Sequence, residues 1–515
     1  MKRKKEIIIG IVCILIVVIS VSFAWFSIDL QGEDKALTVN STSLKITFDN
    51  GSSAITASDI SPGWSTSSDF SIKSTSDVDY SYDIILKNYI NTFTLTKYLQ
   101  YKITSDNGEY NMTEYEELPS SVLSGDFILA YNITITPGST QNYTLHLRYV
   151  NDENVNQSDD MAKTLSGNIF ITDGTVDRYN GYQEGTLAWK ILDDNPMVVL
   201  RNDFNSTFTY NTTHTIYKTT EKNVHNTSDT TVYYYAGNTT NNWVKFGKDS
   251  YGNDFYWRII RTNADGSVRL LYSGKSPDTT AGYIGSSKFN DVTMETTDPM
   301  YVGYMYGTSG SLESNRTNTN DSTIKTYIDN WYANNMTAYT SYLSTTAVYC
   351  NDRNLASGST YSTSSEFYYA ADERLARNKT PSYNCTTAED AFSVDNTSAK
   401  LTYPIGLMTA DEVSYAGGVV YTSLSSPYVW YYSNSAGGSS TGSEWWWLVS
   451  AYDWYYVSSS SGNAYVFCVY GSNDPGRLSD GYVLNSVGVR PTVSVKSETM
   501  ISGGAGTSDN PYIID

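Results

Sequence analysis

Between Leu37 and Thr172, apolar and polar residues alternate in short runs. These are SLKITF (Ser43–Phe48), FSIKST (Phe70–Thr75), YSYDIIL (Tyr80–Leu86), NITITP (Asn132–Pro137) and YTLHLRY (Tyr143–Tyr149). A period of two puts successive side chains on opposite faces of a strand. Turn residues punctuate the runs at Asp49-Asn50-Gly51, Ser61-Pro62-Gly63 and Pro137-Gly138-Ser139. This pattern predicts a β-sandwich over residues 37–172. Residues 173–230 are rich in Asn and Thr with weak periodicity and read as a linker. Within them, Thr186–Pro196 carries a short helical signal that stops before the proline.

From residue 231 the pattern changes. Tyr233–Gly247, Phe255–Thr262 and Ser267–Gly274 read as consecutive strands, the last two joined by a turn ending in Asp265-Gly266. Ile324, Ile328 and Trp331 then fall at i, i+4 and i+7, which predicts a helix capped by Asp321 or Ser322. Thr409 and Glu412 have capping-box spacing and predict a second helix that ends at Gly417-Gly418. Strands interrupted by helices predict an α+β domain over residues 231–498, with a tail over 499–515.

The N-terminus has a different character. Ile7–Phe26 carries no charge and follows Lys2-Arg3-Lys4-Lys5. About 20 helical residues span the ~30 Å of a bilayer core, and basic residues before the span keep the N-terminus cytoplasmic. Residues 1–26 are therefore expected to be a transmembrane anchor or a signal peptide. Ser22-Phe23-Ala24 offers a small-x-small cleavage site after Ala24. Either outcome predicts a cell-membrane protein with extracellular domains, or a secreted one, whose membrane contact is made through this segment.

With 515 residues, more than one core is expected. Apolar residues make up 40% and charged ones only 17%, so the 46 tyrosines and the abundant Ser, Thr and Asn must supply much of the surface. Lys and Arg number 34 against 54 Asp and Glu, a net charge of −20. Such a chain repels phosphates, which argues against a nucleic-acid partner. Cys350 and Cys385 flank one loop and are placed to pair in an oxidising compartment, leaving Cys468 as a buried residue.

YAGNTTNNWVKFG, WRIIRTNADGSVRLLYSG, CNDRN, LTYPIGLMTADEVSYAGG and GVRPTV occur in this order between Tyr233 and Lys496. Together they resemble the DUF6273-type surface domain of Firmicutes, a family without an assigned ligand. GLMTADEVSYAGG with a terminal GVRP also resembles the layout of C-type-lectin-like and formylglycine-generating folds. Further upstream, the AWFS that closes the apolar segment, ISPGWSTSSDFSIKSTSDVDYSYDI and ITPGSTQNYTLHLRY resemble the TasA/camelysin group of biofilm-matrix proteins. These resemblances imply a multidomain chain: an N-terminal transmembrane helix, an all-β sandwich, then an α+β lectin-like domain.

Chemistry is sparse. The formylglycine-generating resemblance would require a copper-binding cysteine pair near the end, and only Cys468 stands there. No HExxH, nucleophile elbow or phosphate loop occurs. His146, His214 and His225 are scattered, and Asp352, Asp372 and Glu373 read as solvated carboxylates in preference to a calcium site. No catalytic residue, metal or cofactor is expected. A binding surface is sought instead at Trp445, Trp446, Trp447, Tyr452, Trp454, Tyr455 and Tyr456. Three consecutive tryptophans cannot all face one core from one strand, and aromatic rings with hydroxyl neighbours suit sugars or peptides. The expected function is a non-enzymatic bacterial surface protein that binds a glycan or protein or mediates adhesion. A self-assembling matrix or fibre subunit is the structural alternative. A third is a lectin-fold receptor diversified over residues 452–486, where Tyr, Ser, Asn and Asp are dense; a formylglycine-generating-like enzyme ranks last.

Overall fold

The burial of Thr140–Tyr149 follows the alternation of its sequence: Gln141, Tyr143, Leu145, Leu147 and Tyr149 are buried while their neighbours face outward. In this computed structural model, residues 27–32, 37–38, 46–49, 55–58 and 60–515 are described, apart from 174–177, 213, 278–281, 293–297, 433–444, 459–460 and 472–473. The chain divides into two compact units, one of residues 1–180 with 196–199, the other of residues 181–195 with 200–515.

The first unit is built on two sheets. One runs in the order Ile55–Ser58, Ser27–Gly32, Thr164–Asp173, Tyr80–Asn91, Ser121–Ile135, Met197–Leu200. The other runs Leu37–Thr38, Ile46–Asp49, Ser65–Ser74, Thr140–Tyr149, Leu99–Ser105, Glu116–Glu117. Their inner faces meet through aromatic pairs, Tyr101 on Phe127 at 5.6 Å and Phe93 on Tyr149 at 5.6 Å. Tyr82 from one sheet hydrogen-bonds Tyr143 from the other at 2.8 Å. Burying each such side chain contributes ~1.5–3 kcal/mol relative to exposure.

One buried carboxylate ties the edge of this core together. Asp160 is fully buried and accepts hydrogen bonds from Thr94 N at 2.6 Å, Thr94 Oγ1 at 2.7 Å, Leu95 N at 3.2 Å and the Tyr149 hydroxyl at 3.1 Å. Asp160→Ala strands these donors in a dry environment. The expected loss is on the order of 2–3 kcal/mol, read as a lower urea midpoint for the first unit with the second unit unchanged.

The second unit is also sheet-built. Its main sheet has Asp254–Thr262 and Val268–Tyr272 at its centre, followed on one side by Pro491–Val495 and Ile405–Leu407 and on the other by Thr230–Tyr234 and Thr215–Glu221. A second sheet runs Ser286–Ser287, Val487–Gly488, Trp446–Ser458, Ser461–Val469, Leu478–Tyr482, with Phe367–Tyr368 also pairing with Trp446–Ser458. Cys350 and Cys385 form a disulfide across 35 residues. In the chain-entropy model a loop of that length contributes about 4 kcal/mol.

The expected fold class is corrected by this architecture. The chain is mostly β-sheet, 39% strand against 14% helix, arranged in several sheets. Over the described residues the second unit is sheet-built in place of the expected α+β lectin-like domain. The helix signals mark short elements. Thr323–Asn335 has 13 residues and Ala410–Ala416 only seven, and the strands Val268–Tyr272 and Pro491–Val495 are buried at every position. The expected span Ile7–Phe26 and the cleavage site at Ala24 lie outside the described residues. Among the described residues, no helix is long and apolar enough to cross a membrane.

Candidate functional site

The tryptophans expected to bind ligand are mostly occupied by the core. Trp446 and Trp447 are 1% and 0% exposed, and Trp454 is buried as well. Trp446 packs under the Arg490 guanidinium at 4.9 Å, and Trp447 donates its ring N–H to Ser287 O at 2.9 Å. Trp445 is half-buried and stacks on Tyr470 at 4.0 Å. The strand Trp446–Ser458 is covered on both faces over most of its length, so the alternation of its tryptophans leaves neither Trp446 nor Trp447 at the surface. Gly462 makes room for Trp454, whose ring would collide with any Cβ there.

The tyrosines at the far end of this strand are placed differently. Tyr455 is 47% exposed, Tyr456 half-buried, and Tyr452 nearly buried. Two register irregularities, between Trp447 and Ala451 and between Ala451 and Asp453, break the strand's alternation here. Tyr452 packs on Phe467 at 5.0 Å and on Tyr368 at 6.4 Å. Asp453 lies opposite Tyr368 on one neighbouring strand and Tyr465 on the other, and Tyr465 lies opposite Tyr482. Cross-strand partners share a face, so Asp453 sits within a row of tyrosines.

Residues distant in sequence complete this face. Tyr421, 53% exposed with its backbone at φ 62°, shares a 2.5 Å hydrogen bond with the Tyr452 hydroxyl and donates to Asp480 Oδ1 at 3.1 Å. A tyrosine held in the left-handed region costs on the order of 1 kcal/mol or more, so the surrounding structure holds Tyr421 in place. Glu366 accepts from the Tyr368 hydroxyl at 2.5 Å. The Arg377 guanidinium lies over the Tyr368 ring at 4.7 Å and pairs with Asp372 at 3.2 Å.

Asp453 itself has no such partner. It is 7% exposed, and its Oδ1 is buried without a hydrogen bond. Burial, then the charges of Asp480, Glu366 and Asp372, push its carboxyl up to about 8. Asp372 is raised as well, by burial, which Arg377 only partly offsets. At neutral pH Asp453 is therefore held largely as the neutral acid.

A second charged group in this unit is fully paired. Glu412 completes a capping box with Thr409, accepting from Thr409 N at 2.9 Å while its own N–H donates to Thr409 Oγ1 at 3.1 Å. Its carboxylate also takes Arg261 and Arg269, each at 2.8 Å, and Arg261 reaches Glu221 at 2.6 Å. Nearby, Arg374 pairs with both Asp411 oxygens at 2.7 Å and with Asp352 at 2.8 Å. Glu221, Arg261, Arg269, Asp352, Arg374 and Asp411 line one cavity with Cys350 and Cys385, and each carboxylate of the group finds a guanidinium. Asp352 and Asp372 are thus partners in ion pairs, and Glu373 accepts the Ser357 N–H at 2.7 Å.

The first unit has a groove of about 800 Å³ lined in part by Asp69, Lys102, Thr104, Asn142 and Thr144. Several of its polar side chains are bonded to neighbours or to the backbone: Thr144 to Asp69 at 2.7 Å, Thr104 to His146 at 2.8 Å, Lys102 to Thr113 O at 2.8 Å. His225 likewise bonds Ser393 Oγ at 2.8 Å, and His214 bonds Asp194 O at 2.7 Å. Cys468 is fully buried, which pushes its thiol well above the usual range. The face around Asp453 is the candidate site, because it joins exposed aromatic hydroxyls to an acid whose bonding is incomplete. Of the sequence-predicted residues, it contains Tyr452 and Tyr455. Asp453 is visible in the sequence as a lone acid within WWWLVSAYDWYY, whereas Tyr421, Asp480, Glu366 and Asp372 are joined to it only by the fold. Compared with models of known families and with curated proteins, the chain matches none.

Proposed function

We propose that this chain is a non-enzymatic recognition protein that acts outside the cytoplasm of a Gram-positive bacterium, and that its second unit binds a surface ligand through the face around Asp453. The observation that carries this reading is the buried Asp453 Oδ1 with no partner, beside the exposed Tyr421 and Tyr455. Buried polar atoms are seldom left unbonded without a purpose, and tyrosines supply contact area at low entropic cost. The Cys350–Cys385 disulfide fits an oxidising location. The net charge of −20 fits a soluble surface domain that avoids nucleic acid. The resemblance of Tyr233–Lys496 to the DUF6273-type surface domain points the same way.

The test is a glycan array together with a cell-adhesion assay on the whole chain and on the Tyr421→Ala, Tyr455→Ala double variant. The wild type should bind, and the variant should bind at least tenfold more weakly with its thermal unfolding unchanged within a few degrees. Equal binding by the two proteins overturns the assignment of the face.

A further inference from the structure

The ligand class can be taken further on the assumption that this face is the recognition site. We infer that it takes an organic cation, a primary ammonium on a slim aliphatic stem, as carried by a lysine side chain of a protein or peptide. Charge accounting leads there. Glu366, Asp372, Asp453 and Asp480 cluster on this face, and the Arg377 guanidinium is paired with Asp372. Lys379 also acts on Asp372. Asp480 is served by the Tyr421 hydroxyl and Glu366 by that of Tyr368, both neutral. A positive charge opposite Asp453 is missing, whereas every carboxylate of the Glu221, Glu412, Asp352 and Asp411 group has one.

The protein already displays the chemistry it would use. Arg377 lies over the Tyr368 ring and reaches a carboxylate, the combination of ring face and acid that holds a cation. The row Tyr368, Tyr465, Tyr482 flanks Asp453 with rings of the same kind, all partly exposed. Methylene groups can lie along these rings while the charged head reaches inward.

Shape selects among cations. Asp453 is only 7% exposed, and an ammonium is a compact point charge on a flexible stem, narrower than the planar guanidinium fork. A metal ion requires several oxygens at about 2.0–2.6 Å, and among the described residues no group of three acids, histidines or cysteines is arranged to hold one. A neutral sugar would leave the cluster's charge as it is. An arriving ammonium lets Asp453 ionise, so binding releases the proton that the acid carries at neutral pH.

Isothermal titration of the whole chain tests this with the capped tripeptide glycyl-lysyl-glycine, its norleucine analogue and its arginine analogue. The lysine peptide should bind at least tenfold more tightly than the norleucine peptide and more tightly than the arginine peptide. Its affinity should fall as salt rises, and titrations in buffers of different ionisation heat should show proton release at pH 7. Asp453→Asn should lower lysine-peptide affinity at least tenfold, with thermal unfolding reporting a folded protein. Glu313→Gln, at an exposed acid elsewhere, should leave it unchanged. Equal binding of lysine and norleucine peptides overturns the inference, as does an equal loss in the Glu313→Gln variant. If a neutral glycan binds and Tyr421→Ala abolishes that binding while the lysine peptide is ignored, the cation inference falls and the recognition face stands. If neither glycan nor peptide binds, both fall.

Discussion

Glu412→Ala is expected to cost the second unit about 3–5 kcal/mol, the usual penalty for removing one partner of a buried ion pair. The change deletes the acceptor shared by Arg261 and Arg269, whose side chains are 4% and 0% exposed. Arg261 keeps Glu221, but Arg269 loses its carboxylate and retains the Val348 carbonyl and the face of Tyr349. The helix Ala410–Ala416 also loses half of its capping box. Chemical denaturation should show a lower midpoint for the second unit, and Glu412→Gln should fall between variant and wild type because the amide oxygen still caps. The pH dependence follows from the direction of the shift. Burial raises the Glu412 carboxyl, but Arg269 and Arg261 outweigh it and hold it below the usual glutamate range. A depressed acid stabilises the fold above its unfolded value, about pH 4. The contribution is therefore intact at neutral pH and is lost as pH falls through the native value. A Glu412→Ala variant that unfolds like the wild type at pH 7 would refute the role given to this network.

Thr409 and Glu412 show how far local reading reaches. Their spacing alone identified the cap, and the helix starts there. The partners of Glu412 come from strands 151 and 143 residues away, and no local pattern joins them. Arg490 makes the same point in reverse. Its guanidinium, with no carboxylate partner among the described residues, donates to the carbonyls of Tyr272 and Tyr431 and to Ser273 Oγ, over the ring of Trp446. Backbone carbonyls carry no sequence signature. The apolar helix face was legible at Ile324 and Ile328, but Tyr332 completes it, while Trp331 sits half-buried against Phe255 and Tyr272. Alternation along the strand puts Trp446 and Trp447 on opposite faces. It could not show that both faces are covered, because Arg490, Tyr431 and Phe289, which cover them, come from segments distant in the chain and outside the strands.

Asp453→Asn is expected to stabilise the second unit, the opposite of what removal of a structural residue does. The amide keeps the shape of the carboxyl and cannot ionise. Asp453 is raised to about 8, first by burial and then by Asp480, Glu366 and Asp372, while Arg377 and Lys379 act on Asp372 and Arg477 pairs with Asp474. An acid whose folded value lies above its unfolded one opposes folding as pH rises. The opposition begins near the unfolded value of about 4 and grows until pH passes the folded value near 8. Keeping a proton at pH 7 on an acid that ordinarily releases it near pH 4 costs about 1.4 kcal/mol per pH unit, on the order of 4 kcal/mol in all. Calorimetry across pH 4–8 should therefore show wild-type stability declining and the Asp453→Asn variant declining less, with the gap widest at pH 8. The two curves should meet near pH 4, where both side chains are neutral. Parallel curves would mean that Asp453 ionises freely in the fold, and the strained acid on which the recognition face depends would not exist. A widening gap, joined to weaker binding in the same variant, is the signature of a residue kept at a cost in stability because a ligand completes it.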